Sequence, residues 1–496
     1  MNFTGDGMQY PQPSEIPGQW RQARLARDPR FDGQFFVGVL TTGIFCRPIC
    51  PARLPREDNI RYLLTPAQAL EQGFRPCRRC RPEYSPPRHQ QWPDERLQQA
   101  MDAIEQGFLD QSDCQHLAEK VGLGERQLRR LFQQSLGVSP NQVAQTRRLL
   151  LARQLLCESN LGITQVALAA GYNSIRRFNH QFREFYHQTP SEVRRQQRAA
   201  SSDSTEIVID LPHAADYPWR QVFGFYRQRA IEPFESAAEN SFVRSLMFDS
   251  TPMQIRCEKL PRKQRIRLSI VGASATQLPA LIAHCRRVLD LNSNHRVIAE
   301  HLRSDPLLNK IIAEEARIAL PGAWDGFEYL VRAIIGQQVS VKAARTLTRR
   351  LLQRCGSSHQ LAGEEVYFFP DAEALANADL GGLGLTGRRI DTLKRVAQAQ
   401  LEETLQLQAG SLANREDLQT LRKSLLAING IGPWTVDYLM MRAAFQPDIW
   451  LHTDLGVVNA LKQLGEDLDK KSLARRADDW APWRSYGVLA LWSCLT

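Results

Sequence analysis

The chain has 496 residues, 43% of them hydrophobic, with a net charge of +10 and ten cysteines. That length allows three or four domains, and that apolar content excludes a disordered chain. No apolar run reaches membrane-spanning length, and the polar, proline-containing start, Met1 to Gln19, lacks the apolar core of a secretory leader, so a cytoplasmic protein with reduced or metal-bound cysteines is expected.

Charge is unevenly spread. Residues 1–200 carry 27 Lys and Arg against 19 Asp and Glu, and the remainder carries 36 against 34. All but Lys120 of the 27 are arginine, the side chain suited to bidentate phosphate contact. A modest basic excess supports nucleic-acid binding without establishing it.

In chain order, the first pattern is Cys46-x3-Cys50, followed after 26 residues by Cys77-x2-Cys80. Two close pairs in a reduced compartment predict one tetrahedral Zn2+ held by Cys46, Cys50, Cys77 and Cys80. Spacing alone leaves a passive structural zinc open. The flanking residues, Thr41-Thr42-Gly43-Ile44-Phe45-Cys46-Arg47-Pro48 and Gly73-Phe74-Arg75-Pro76-Cys77-Arg78-Arg79-Cys80, resemble the N-terminal domain of the Ada family over about residues 20–85. The resemblance implies that Cys46 accepts a methyl group from a DNA methylphosphotriester, and that Thr42, Arg53 and Arg75 contact DNA. Family members often carry Arg directly after the second cysteine; here Pro51 stands there, and that contact is not expected. Four thiolates on zinc carry a formal charge of about −2, and methylation of one moves the cluster by about one unit toward neutral. Repulsion from phosphate then falls, so methylation is expected to raise DNA affinity. A methylated cysteine has no evident route back, so one transfer per molecule is expected.

After Tyr84-Ser85-Pro86-Pro87 the apolar residues recur at helical spacing: Leu117, Val121, Leu123, Leu128, Leu131 and Phe132. The segment from His116 to Leu136 reads as helix, glycine-containing turn, helix. An Arg/Leu-rich helix, about Asn141–Ser159, leads to a second copy with Ile163, Val166, Ala167, Ala170, Gly171, Tyr172, Phe178, Phe182 and Phe185, closed by Thr189-Pro190. This doubled signature resembles the AraC-type DNA-binding domain, which implies that the second helix of each unit enters the major groove. Arg126, Gln127 and Arg129 are the candidates in the first unit, and Ser174, Arg176, Arg177 and Asn179 in the second. The alternative is a small bundle with a solvated arginine face. Residues 199–205 read as a polar linker.

Beyond it, strands are expected at Ile207–Ile209, Phe242–Phe248, Met253–Cys257 and Arg265–Val271, interleaved with helical patterns from Trp219 and from Leu278. Cys285 falls on an apolar helix face and reads as core. From about residue 319 the pattern is helical throughout. Leu421, Leu425 and Leu426 lead to Asn429-Gly430-Ile431-Gly432-Pro433-Trp434-Thr435, where one helical pattern stops and another starts at a proline suited to the first turn. The two glycines permit close approach, and free N–H groups at the new helix start favour an anion such as a DNA phosphate, which makes Gly430, Gly432 and Thr435 candidates for DNA contact. The alternative is an ordinary helix corner with a capping glycine.

With Asp454 about twenty residues on, this stretch resembles the helix-hairpin-helix glycosylases with a Gly/Pro-rich loop and catalytic Asp, and within them the AlkA-type 3-methyladenine DNA glycosylases. The resemblance implies that Asp454 is the catalytic carboxylate and that Trp434, Tyr438 and Trp492 line the base pocket. It puts Gln338 at the position of the DNA wedge, where relatives carry Leu, and a monovalent cation on carbonyls near Leu426, Ile428 and Ile431. Trp434 falls where lyase relatives carry a nucleophilic Lys, which implies a monofunctional glycosylase. Read without the resemblance, the three aromatics are core and Asp454 is a helix N-cap. Asp437 is expected to be solvated.

The expected fold class is multidomain α+β. It comprises a zinc-bound α/β module at 1–86, an all-α double helix-turn-helix at 90–198, a small antiparallel α+β domain at 205–318 and an all-α helix-hairpin-helix domain at 319–496. The expected function is DNA alkylation repair joined to transcriptional regulation. The alternative is a damage-responsive transcription factor whose glycosylase fold only binds DNA. Double-stranded DNA, alkylated and promoter, is the expected partner, RNA polymerase a candidate one, and no membrane is expected.

Overall fold

The computed structural model describes residues 18–85, 94–196, 206–214, 216–260, 264–312, 317–405, 407, 415–466 and 468–495. The linker expected at 199–205, and Pro86-Pro87, lie outside them. The chain divides into two compact units, residues 1–203 with 274–283, and 204–273 with 284–496. No helix among the described residues is long and apolar enough to cross a membrane.

The first unit begins with a four-stranded sheet of β1 (Phe36–Val39), β2 (Ile44–Cys46), β3 (Ile60–Leu63) and β4 (Arg75–Pro76), in the order β3-β1-β2-β4. Its core is small: Phe36, Phe45, Leu63, Ala69 and Phe74 on one side, and Ala23, Phe35, Val37 and Tyr62 on the other. Gly38 lies under the Phe74 ring, where a Cβ would come within 2.7 Å of it, so no larger residue fits. β4 runs parallel to β2 with Phe45 opposite Pro76. That register brings Cys46, at the end of β2, beside Cys77, whose N–H donates to the Phe45 carbonyl (3.0 Å).

The helical part of this unit carries both expected helix pairs, Cys114–Lys120 with Glu125–Leu136, and Ile163–Ala169 with Ile175–Tyr186. Between them runs Pro140–Glu158, started by a Ser139/Gln142 capping box and a proline in the first turn. Leu149, Ala152, Leu155 and Leu156 on this helix are buried. Arg147 and Arg148 both reach Asp110 (2.8 and 2.6 Å). The Asp110 carboxylate sits so close to Gly171, at φ +85°, that a Cβ there would be 2.4 Å from it, which explains the glycine of the second copy. The sheet module is tied to the same long helix. Glu83 accepts from Arg81 (3.1 Å) and Arg153 (3.0 Å), and Arg81 also donates to Glu158 (2.9 Å). Removing one member of such a buried pair costs about 3–5 kcal/mol.

The second unit opens on an antiparallel sheet of β5 (Glu206–Pro212), β6 (Glu235–Ala237), β7 (Ser241–Phe248), β8 (Thr251–Lys259) and β9 (Arg265–Val271), ordered β5-β9-β8-β7-β6. Along β9, Ile266, Leu268 and Ile270 are buried and alternate with partly exposed residues, the pattern of a half-covered sheet. Cys285 is fully buried, as expected of core. Arg244 on β7 bonds Glu235 (3.1 Å) and Glu328 (2.6 Å), and Arg332 bonds the same two acids, which fastens the sheet to the helix Gly326–Ile335.

Two differences from the sequence reading follow from packing. The helices His295–Leu302 and Pro306–Ile311, expected with the sheet, share a core with residues of 441–491, including Trp450, Leu461 and Trp480. The expectation of helix throughout from 319 is corrected by a hairpin, β10 (Ser357–Leu361) and β11 (Glu364–Phe368). Its two-residue turn, Ala362-Gly363, has both φ angles positive, the backbone twist that suits a tight hairpin. Only Val366 and Phe368 on these strands are buried, so most of the hairpin faces water.

Candidate active site and metal centre

The four sulfurs of Cys46, Cys50, Cys77 and Cys80 lie within 4.8 Å of one another, with Cys50 and Cys77 4.0 Å apart. A tetrahedron of Zn–S bonds of about 2.3 Å needs sulfurs about 3.8 Å apart, so the set fits zinc with little adjustment. None is in a disulfide, and Cys46 alone is only half-buried. The Arg47 N–H donates to Cys80 Sγ (3.3 Å), which stabilises that thiolate and blunts it as a nucleophile. Cys46 is the most accessible of the four sulfurs.

Around this cluster Thr42, Arg53 and Arg75 are all exposed, and Arg75 reaches the Thr42 carbonyl (3.5 Å). Arg47 is not among the free cations, being held by both oxygens of Asp32. On the helix-turn-helix pairs, Arg126, Gln127, Arg129, Ser174, Arg176, Arg177 and Asn179 are exposed. Three of them have local duties as well. Gln127 accepts from the Gly124 N–H (3.1 Å), Arg129 pairs with Glu125 (2.6 Å), and Ser174 caps its helix through the Arg177 N–H (3.3 Å).

In the second unit Asp454 is 9% exposed and caps the helix Leu455–Gln463. Its Oδ1 accepts from the Val457 N–H (2.9 Å) and from Trp492 Nε1–H (2.8 Å). Its Oδ2 accepts from Trp434 Nε1–H (2.8 Å). The N-cap reading therefore holds, and one carboxylate orients two of the three expected pocket aromatics. Tyr438 completes the group. It stacks on Trp434 (centroids 5.2 Å, 15°) and meets Trp492 edge-on (6.1 Å, 71°). All three residues are half-buried. A cavity of about 710 Å³ lies elsewhere in this unit, lined by Arg244, Asp325, Glu328, Phe368 and Leu405, and includes none of this group.

The sequence reading missed Gly456. A Cβ there would come within 3.0 Å of both Asp454 Oδ1 and Trp492 Nε1. Gly456→Ala is expected to push the indole off the carboxylate, forfeiting a bond to a charged acceptor worth about 1.5–3 kcal/mol. Base release should then fall about tenfold or more, measured in single-turnover assays run well below the melting transition.

The helix-hairpin-helix forms as Arg415–Ala427, a turn, and Pro433–Arg442. Gly430 (φ +98°) is required by the protein itself, since a Cβ there would lie 2.0 Å from Thr392 Oγ1. Gly432 has open space at its Cβ position, so its approach is left free for a ligand. Thr435 is 2% exposed and its hydroxyl accepts from Gln337 Nε2 (3.1 Å), so its side chain braces the hairpin. Gln337, also missed, donates as well to the Gly430 carbonyl (3.2 Å), and its own carbonyl accepts from Arg389. The next residue, Gln338, is exposed at φ +56°, a conformation uncommon for a non-glycine residue and frequent at functional sites. Asp437, expected to be solvated, pairs with Arg422. Of the carbonyls expected near a cation, that of Ile428 accepts the Ile431 N–H (3.1 Å).

Four family descriptions match the chain in order: the metal binding domain of Ada at 19–83, a helix-turn-helix domain at 117–196, the AlkA N-terminal domain at 208–325 and the HhH-GPD superfamily of base excision DNA repair proteins at 331–482. A probable bifunctional transcriptional activator/DNA repair enzyme AlkA of Mycobacterium tuberculosis is 35% identical over 482 residues, covering 96% of this chain and 95% of its own. The DNA-3-methyladenine glycosylase 2 of Escherichia coli is 29% identical across 56% of this chain and 93% of its own. The bifunctional transcriptional activator/DNA repair enzyme Ada of Escherichia coli is 36% identical across 30% of this chain and 41% of its own.

Proposed function

The chain belongs to the family of AlkA-type bifunctional transcriptional activator/DNA repair enzymes, and on that premise we propose that its C-terminal half hydrolyses 3-methyladenine and related alkylated bases from DNA while its N-terminal half takes methyl groups from DNA methylphosphotriesters. The four-cysteine cluster is a zinc site, and the chain carries DNA-binding helix-turn-helix and base-excision folds. The observation that carries the excision reading is the Asp454 carboxylate held between the indoles of Trp434 and Trp492.

A stacked base cannot be cleaved, so it must be extruded, with Gln338 filling the gap left behind and the hairpin N–H groups beside Gly432 holding the phosphate. A 3-alkylated purine is cationic, and each aromatic face attracts it by about 0.5–2 kcal/mol. The bond from C1′ to the purine nitrogen breaks with both electrons going to the base. Asp454 stabilises the positive charge that develops on the sugar and orients the attacking water. Among the described residues the donors to the acid are two indoles and a backbone N–H and none is an amine, so no Schiff base forms and the product is an abasic site in an uncut strand.

At the other end, the Cys46 thiolate attacks the methyl carbon of a phosphotriester. An S–C bond forms, the C–O bond breaks, and the electrons leave on the phosphate oxygen, restoring the diester charge. Bound zinc keeps the sulfur deprotonated at neutral pH. The lost unit of negative charge then favours promoter DNA, placing the exposed arginines of both helix-turn-helix pairs for recruitment of RNA polymerase, once per molecule.

The test is methylated DNA incubated with the purified chain. Free 3-methyladenine should appear with strands that break only in alkali, and borohydride should trap no covalent adduct. A trapped adduct overturns the monofunctional reading. Absence of any base release leaves the second reading, a damage-responsive regulator that uses the fold only to bind DNA.

A further inference from the structure

Behind the three aromatics lies positive charge that no acid among the described residues pairs with. Arg442, on the hairpin helix, is 1% exposed. Its only hydrogen bond among the described residues goes to the Pro321 carbonyl (2.7 Å), and its Nε is buried without a partner. The guanidinium lies 4.4 Å from the centroid of Phe225 and 5.6 Å from that of Trp492, the ring whose N–H holds Asp454. Arg229 lies 4.2 Å from the same Phe225 centroid, and no carboxylate among the described residues pairs with either arginine. Burying an uncompensated cation is costly, and a packing role alone would be met by Met or Leu. The field reaches the pocket. Against its burial, the Tyr438 hydroxyl is held below its ordinary value by Arg229 and Arg442.

We propose that Arg442 sets the charge selectivity of the excision site, working against cationic bases and in favour of uncharged ones. The inference rests on the excision reading above and assigns its discrimination between charged and uncharged purines to one side chain. The chemistry makes the effect separable. In either case C1′–N breaks and the electron pair goes to nitrogen, while water oxygen bonds C1′. A cationic base leaves neutral, and the water proton is released. A neutral base leaves as an anion, and the water proton ends on it. At any extent of bond breaking the two bases differ by one full charge. The ratio of their kcat/KM values therefore reports the whole interaction of that charge with Arg442, and any general damage to the site cancels. For a separation of about 8 Å at an effective dielectric near 20, one unit charge changes the ratio by about 30-fold.

The experiment compares duplexes carrying 7-methylguanine, cationic, and hypoxanthine, neutral, with the full chain as wild type, Arg442→Met, Arg442→Gln and Arg442→Lys. Both uncharged replacements should raise the 7-methylguanine to hypoxanthine ratio by about 30-fold, whatever happens to the individual rates. Arg442→Lys, which keeps the charge, should hold the ratio within about threefold. If Arg442→Met does not fold, Arg442→Gln carries the test. A ratio that stays constant across the variants overturns the proposal, as does a wild type that releases 7-methylguanine and no hypoxanthine. A wild type that releases neither base removes the excision reading itself, and the role of Arg442 with it.

Discussion

Asp454→Asn should lower release of 3-methyladenine by about 10²–10³-fold, the usual loss when a preorganised electrostatic group is removed from a water-poor site. The geometry shows why so small a change should matter so much. Three N–H donors converge on the carboxylate, each bond to a charged acceptor being worth about 1.5–3 kcal/mol. A carboxylate offers about four lone-pair positions, so about one is left for water or the sugar. Asparagine removes the charge and also turns an NH2 toward one of those donors, stranding it. Trp492→Phe separates the two losses, because it deletes one donor while the acid stays ionised and capped. Its deficit should be well short of that of Asp454→Asn. Operator binding by the N-terminal half should be unchanged in both variants, measured by mobility shift. Equal base release by wild type and Asp454→Asn would take the acid out of the mechanism.

The residues that were legible in the sequence owe it to local rules. Cys46, Cys50, Cys77 and Cys80 could be grouped because metal ligation needs short spacings, and the sheet register of Phe45 against Pro76 then does what the spacing implies. The N-cap role of Asp454 was legible because a helix start calls for a short carboxylate just before it, whereas its catalytic role came from the family resemblance alone. What could not be read depends on partners distant in the chain. Thr435 looks like a polar residue at an open helix start, yet Gln337 lies over it. Arg442 has the composition of a solvated helix position and is buried by Phe225 and Trp492, which no local pattern couples to it. The β10–β11 hairpin was hidden because it is short, mostly exposed and set between helices, so its alternation has only Val366 and Phe368 to mark it.

Loss of zinc should unfold the N-terminal module and leave base release intact. Residues 18–85 are held by two clusters of five and four buried side chains, far too little for a piece of this size to stand alone. Zinc bound by four thiolates adds apparent folding energy of about 10–16 kcal/mol, so Cys77→Ala or a strong chelator should collapse the sheet. Trp20 reports it, since its ring stacks on Phe35 at 4.8 Å and its fluorescence should shift toward that of a solvated indole. Cys46→Ala makes a different prediction. It leaves Cys50, Cys77 and Cys80, the three buried sulfurs, so zinc should be retained at weaker affinity and the Trp20 signal preserved, while methyl acceptance from phosphotriester DNA disappears altogether. Labelled methyl appearing on a Cys46→Ala chain would assign acceptance to another sulfur. Unfolding of that variant as complete as for Cys77→Ala would mean that Cys46 is needed as a ligand as much as a nucleophile. The two measurements together separate the structural part of the cluster from its reactive part, because the accessible sulfur is deleted from the chemistry while the three buried ones keep the metal.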